Sequence, residues 1–374
     1  MKTALVLSGG GARAAYQVGV LKALAEIVPK TEHNPFQIIC GTSAGAINAA
    51  KIATEADNFH QAVIGLEDIW GNLTSARIHQ VDYFTVFKSM IKIFASFFHS
   101  GIANDKPLSL FDNRPLAYLL KRSINMSRLN TMIAKDHLHA LSINALGYTS
   151  GQNIAFFQGH SSIKTWSKTR RLGLRAELQL KHLMASTAIP AVFPSVRINR
   201  EYFGDGAVRQ SAPLSVPLKM GADKIMVIGV SGNITGIERL HTEHSPSIAQ
   251  VFGNMLNSAF IDAMDEDLSI LESFNRVSAC ISEHQQKQIG VRPVDILVIE
   301  PSVKFDVLAA EYEVHLPKSM RFLLSIVGAN KKGSGGSLAS YVLFEKAYCK
   351  ALIDIGYQDA MTQIDEIKQF MVMT

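Results

Sequence analysis

Twice in the first fifty residues a short apolar run ends in glycine and passes directly into a helical pattern. Ala4–Leu7 leads into Ser8-Gly9-Gly10-Gly11, after which Val18, Leu21, Ala25 and Val28 recur at helical spacing until Pro29. Phe36–Cys40 leads into Gly41-Thr42-Ser43-Ala44-Gly45 and the small-residue helix Ala44–Ala53. Unbroken apolar runs of this kind are strands buried on both faces, and such strands belong to parallel sheets covered by helices. Two strand–glycine–helix units in succession therefore restrict the chain to an α/β fold with a mainly parallel central sheet.

The rest of the chain fits that frame. Further strands are expected at Leu141–Leu146, Ile154–Phe157, Lys224–Gly229 and Asp295–Ile299. Helices are expected at Asp57–Trp70, Tyr83–Phe98, Asn113–Arg122, Pro246–Ala279 and Leu338–Ile355, with Lys331–Ser337 a flexible loop by composition. Of 374 residues, 47% are hydrophobic and 18% charged, which excludes a disordered chain. No stretch reaches the roughly 20 apolar residues that span a bilayer, and Ala4–Leu7 is too short for a secretory signal. Cys40, Cys280 and Cys349 are scattered, with neither a disulfide framework nor metal-ligand spacing, so a reducing, cytoplasmic setting is expected. The net charge of +5 is dispersed, and its densest group (Lys164, Lys168, Arg170, Arg171, Arg175) reads as a solvated face. Without a zinc-finger or other recognition pattern, no nucleic-acid partner is expected.

Three segments carry chemistry. Gly41–Gly45 has the G-x-S-x-G pattern, which puts Ser43 on a tight turn between strand and helix, beside the unpaired amides of the helix N-terminus. The same serine could be a plain helix cap. Gly9, Gly10, Gly11 and Ala12 leave several amides free to converge on one anion, a tetrahedral oxyanion or equally a phosphate, and Arg13 could brace the loop or bind a lipid phosphate. Gly9, Gly11 and Ala14 also fit a dinucleotide fingerprint, but Glu32 lies on the wrong side of the second strand to complete it. Gly204-Asp205-Gly206-Ala207 places a carboxylate on a sharp loop, or is simply an Asp-Gly turn. Among twelve histidines none sits in a glycine-flanked loop; if none serves as base, Asp205 must take the serine proton, and burial would have to raise its affinity for it. Tyr83–Phe98 is a broad apolar helix that fits a core, a lid or a membrane-contact helix.

The order G-G-G-x-R, G-x-S-x-G, D-G-A resembles the patatin-like phospholipase family. Ser109–Leu120, Ala185–Pro194 (ASTAIPAVFP) and Met220–Val230 resemble further family segments, and Leu323–Ala360 resembles the tail of a bacterial branch. The resemblance implies a three-layer α/β/α fold, with a catalytic segment over 4–218 and a C-terminal part, 219–374, completing the same core. It implies a lipid acyl hydrolase with Ser43 as nucleophile and Asp205 as its base. Gly9, Gly10, Gly11 and Ala12 would form the oxyanion hole, supported by Arg13, Gly41, Gly45 and Gly206. Neither metal nor organic cofactor is implied; the partners are a lipid or acyl-ester substrate and a membrane surface touched peripherally. Ala14 departs from the family's usual glycine, and is tolerated only if that position is already helical. An α/β-hydrolase with a Ser-His-Asp triad and a non-hydrolytic phosphate- or nucleotide-binding protein using Gly9–Arg13 are the alternatives.

Overall fold

The computed structural model describes residues 1–29, 33–78, 109–231, 245–289, 292–326, 328 and 336–372. Strands β1 (Thr3–Leu7), β2 (Ile38–Thr42), β3 (Ala140–Gly147), β4 (Asn153–Gly159), β5 (Trp166–Lys168), β6 (Arg171–Arg175), β7 (Val196–Ile198), β8 (Glu201–Asp205), β9 (Lys224–Ile228) and β10 (Asp295–Ile299) belong to one sheet. Its order is β10-β9-β1-β2-β3-β4-β6-β5, with β8 on β3 and β7 on β8. The stretch from β10 to β3 is parallel throughout. Side chains of β1 alternate between two cores: Leu5 and Leu7 enter one, Ala4 and Val6 the other. Both faces are therefore covered, which is why these strands read as unbroken apolar runs.

The first core lies under α1 (Ala15–Ile27), α2 (Ala44–Thr54) and α3 (Phe59–Gly71), the last capped by the Asn58 side chain accepting from the Gln61 amide. Next come α4 (Arg114–Ser123) and α5 (Leu180–Ser186). β9, β10 and α11 (Lys346–Thr362), all beyond residue 218, join the same sheet and the same core.

Several expectations need correction. The short strands β5 to β8 escaped the sequence reading because each runs only three to five residues and carries a charged side chain that interrupts any apolar run. The helix expected over Pro246–Ala279 is three pieces: α6 (Ile248–Asn257), a π-helical turn at Ser258–Asp262 and α7 (Ala263–Ala279). Within α7, Asp267 accepts a hydrogen bond from the Leu214 amide. Leu338–Ile355 is broken between α10 (Gly336–Val342) and α11, where the Glu345 carboxylate is held by the amide and hydroxyl of Ser75. α8 (Phe305–Tyr312) and α9 (Lys318–Ile326) precede that break. Tyr83–Phe98 lies outside the described residues. No helix among the described residues is long and apolar enough to cross a membrane.

Candidate active site

Sheet register brings together two residues 162 positions apart. β2 runs parallel to β3 and ends with Thr42 opposite Asn144. β8 runs antiparallel along the same edge of β3 and ends with Asp205 opposite Ala145. The C-terminal ends of β2 and β8 thus meet head-on at one peptide of β3. Ser43, the next residue after β2, donates from Oγ to Oδ2 of Asp205 at 2.5 Å. Ser43 has φ 54° and ψ −129°, a left-handed backbone that costs energy for any residue with a Cβ, as at a nucleophile elbow.

Both side chains are buried, Asp205 completely. Burial pushes the Asp205 carboxyl up to about 7, even though hydrogen bonds from the Ser43 hydroxyl and the Ala207 amide favour its ionised form. A carboxylate balanced near neutrality is a competent proton acceptor for a serine. No histidine bonds to Ser43 or Asp205 among the described residues. His182, in α5, is buried, accepts at Nδ1 from the Gln179 amide to cap that helix, and packs on Phe156, with burial pushing it down to about 4. No cluster of three or more His, Cys, Asp or Glu with metal-holding geometry occurs among the described residues.

β1 ends at Leu7 opposite Gly41, so the glycine loop and the serine turn leave the same edge of the sheet. A Cβ on Gly9 would sit 3.0 Å from Cβ of Ser43, which puts the Gly9 backbone alongside the hydroxyl. The amides of Gly9, Gly10, Gly11 and Ala12 have no hydrogen-bond acceptor among the described residues. They are spare donors on the loop whose Gly9 lies beside Ser43, and free donors are what holding an oxyanion requires. Gly41, Gly45 and Gly206 stand at close backbone crossings, against Ala46, the Leu7 carbonyl and the Asn144 carbonyl respectively. Ala14 has φ −65° and ψ −10°, already helical, so the departure from glycine leaves the loop undistorted.

Arg13 braces the loop from within. It is buried, donates from Nε to Ser340 and from Nη1 to the Tyr341 hydroxyl, and lies 4.0 Å above the Tyr341 ring. Turned into the core, it is not available to a lipid phosphate. A second brace went unread in the sequence. Gln17 donates to the Ser8 and Ile228 carbonyls, Asn48 donates to Gln17 and the Ala14 carbonyl, and Trp70 donates to Asn48 at 2.8 Å. An amide in the midst of each apolar helix, α1 and α2, was the available signal. Ser186 was missed too, inside ASTAIPAVFP: its Oγ accepts from the Ser43 amide.

Beside Ser43 and Gly11 lies a narrow, partly open pocket with a cavity volume of about 40 Å³, walled by Ile47, Ile69, Trp70, Leu116, Leu120 and Phe193 among others. Among the described residues of its wall, Ser43 and Thr187 are the ones that bear a hydroxyl. Such a lining suits an alkyl chain, each buried methylene contributing about 0.8 kcal/mol. Ile47, one helical turn after Ser43, stands near the reacting end. Ile47→Phe should therefore lower kcat/KM on long-chain esters about tenfold and leave acetyl esters unaffected, measured on a chain-length series.

A parallel-sheet α/β fold with a serine elbow, a spare-amide glycine loop and a buried aspartate defines a class of acyl-transfer hydrolases. The sequence model of the patatin-like phospholipases matches residues 5–218, more than half of the chain. The chain belongs to the patatin-like phospholipase family. It is 55% identical to the lysophospholipase nte1 of Aspergillus terreus over 53 residues, 14% of this chain and 3% of that protein. Among solved structures, human GIVD cytosolic phospholipase A2, in complex with methyl γ-linolenyl fluorophosphonate, aligns with a TM-score of 0.44 and 11% identity. That alignment covers 100% of this chain and 59% of the human one. VipD from Legionella pneumophila aligns with a TM-score of 0.38 and 13% identity over 98% of this chain and 67% of its own. The chain thus spans under two thirds of the human phospholipase and a small fraction of the fungal one.

Proposed function

We propose that this chain hydrolyses carboxylic esters of lipids through Ser43 and Asp205. The observation that carries the reading is the Ser43 hydroxyl donating to a buried Asp205, with spare glycine-loop amides on one side and an apolar pocket on the other. Asp205 takes the Ser43 proton as Oγ bonds to the ester carbonyl carbon. The amides of Gly9, Gly10, Gly11 and Ala12 receive the negative charge that moves onto the carbonyl oxygen. Collapse breaks the ester C–O bond, the alcohol leaves with the proton from Asp205, and the acyl group stays on Ser43. Water then gives a proton to Asp205 as its oxygen attacks the acyl-serine; Ser43 departs with that proton, releasing the fatty acid. The phosphate-binding reading loses its cation, because Arg13 faces Tyr341 and not the loop mouth.

The reading treats 4–218 and 219–374 as one unit, since β9 and β10 extend the sheet from β1. It also places the protein in the cytoplasm, meeting its substrate at a membrane surface from the water side.

An organophosphonate should label the protein once, at Ser43 by peptide mass spectrometry, and abolish hydrolysis of a panel of acyl esters, lysophospholipids and diacyl phospholipids. Ser43→Ala should be unlabelled and inactive. Labelling elsewhere, or full turnover in Ser43→Ala, would refute the assignment. Because Asp205 must be ionised to accept the proton, wild-type kcat/KM should fall on the acid side with a midpoint near the carboxyl's value of about 7.

A further inference from the structure

The turn after α5 grips both members of the dyad. Ser186, fully buried, accepts at Oγ from the Ser43 amide at 2.9 Å and donates its own hydrogen to the Asn144 carbonyl at 2.6 Å. Two residues on, the Ala188 carbonyl accepts from the Asp205 amide at 2.9 Å. Asn144 belongs to the stretch of β3 where β2 and β8 meet. β2 and β8 share no ladder with each other, so no sheet hydrogen bond fixes the gap between Ser43 and Asp205. The 186–188 turn spans that gap, with one hydrogen bond to each side and a third to the strand beneath.

The geometry points to Ser186 as a positioning residue, which sets the separation of Ser43 and Asp205 by holding the amide of a strained serine against β3. This rests on the dyad reading above. A left-handed Ser43 relaxes unless its surroundings over-determine it, and the Ser186 bond fixes its amide. The same bond commits the Ser43 amide elsewhere, which leaves charge stabilisation to the glycine loop. The role is not chemical: Ser186 Oγ has its hydrogen on Asn144 and its lone pair on Ser43 N–H, and takes part in no proton transfer.

The test is Ser186→Ala, assayed on a short soluble ester. A misplacement of the hydroxyl by a fraction of an ångström should lower kcat about tenfold to a hundredfold with KM nearly unchanged. The acid limb of the pH profile should move to higher pH, because the hydrogen bond from Ser43 is one of the contacts that hold the Asp205 carboxyl down. Phosphonylation of Ser43 should slow by the same factor. Val227→Ala, in the second core, supplies a control of reduced stability that should keep the wild-type pH limb. Should Ser186→Ala fail to fold, Ser186→Cys keeps the volume with a poorer acceptor and should move the same readouts in the same direction. Wild-type kcat and an unmoved acid limb in the folded variant, or the same kcat loss in Val227→Ala, would overturn the proposal. Failure of the dyad itself is separate, and is read from unlabelled Ser43 in the wild type.

Discussion

Asp205→Asn is expected to lose at least about a thousandfold in kcat/KM and, at neutral pH, to be more stable than the wild type. Asparagine keeps the shape, can still accept from the Ala207 amide, and can turn its own amide toward Ser43. What it lacks is a site for the serine proton. The stability gain follows from linkage. The folded carboxyl titrates near 7 and the unfolded one near its ordinary 3.8. Between those values the unfolded chain ionises first, so the native state binds more protons and stability falls as pH rises. Above about pH 7 the full cost of a charged, buried carboxyl is present, roughly 4 kcal/mol as an upper bound. The asparagine variant escapes it. Calorimetric melts of both proteins across pH should coincide near pH 4 and separate, with the variant higher, towards pH 8. Parallel curves would mean that Asp205 is not held neutral by its surroundings.

The second large effect is expected at Gly11. Its φ of 56° is left-handed, and a Cβ there would lie 2.2 Å from the Tyr341 carbonyl oxygen in α10. Gly11→Ala therefore meets a backbone penalty of about 1–2 kcal/mol and an overpacking penalty of about 1–3 kcal/mol. Relief requires the loop or α10 to move, and the loop amides lie beside the reacting hydroxyl. Urea denaturation should show the combined loss, and kcat should drop about a hundredfold as the donors misalign. A variant with wild-type stability and turnover would separate Gly11 from both the packing and the oxyanion hole.

The residues of the candidate site could be picked out in the sequence; the way the fold brings them together could not. Ser43 announced itself through glycines and an apolar strand, and the glycine loop through its lack of side chains. Taken locally, Asp205 read as an Asp-Gly turn as readily as a base, because the strand carrying it, Glu201–Asp205, is short and obtains its place from pairing with β3. Pairing register is a non-local property that no window of residues contains. Ser186 and Asn144 were invisible for the same reason, since neither interacts with its sequence neighbours in the feature that matters. Gln17 and Asn48, amides within apolar helices, went unread, because the bond between them joins two different helices. Arg13 was read with two destinations, the loop or a lipid phosphate; its partner Tyr341 lies 328 positions away. The π-helical turn at Ser258–Asp262 left no mark in the sequence, yet it sets Phe260 against Gly9. A one-residue change in helical phase has no compositional signature.

The link from Arg13 to Ser340 and Tyr341 bears on the order of events during synthesis. Strand β1 is completed first, but one of its two neighbours, β9, emerges more than two hundred residues later, and the residues that clasp the glycine loop emerge later still. A nascent chain carrying only the family-matched 5–218 holds Ser43 and Asp205 without β9, α10 or the Tyr341 ring. Such a fragment has no inner wall for Arg13 and leaves a central strand of the sheet exposed along one side. Contacts of such long separation form late and slowly. The clasp on the glycine loop is thereby postponed until Ser340 and Tyr341 have left the ribosome, and a chain cut short of them lacks the contacts that hold the loop from within.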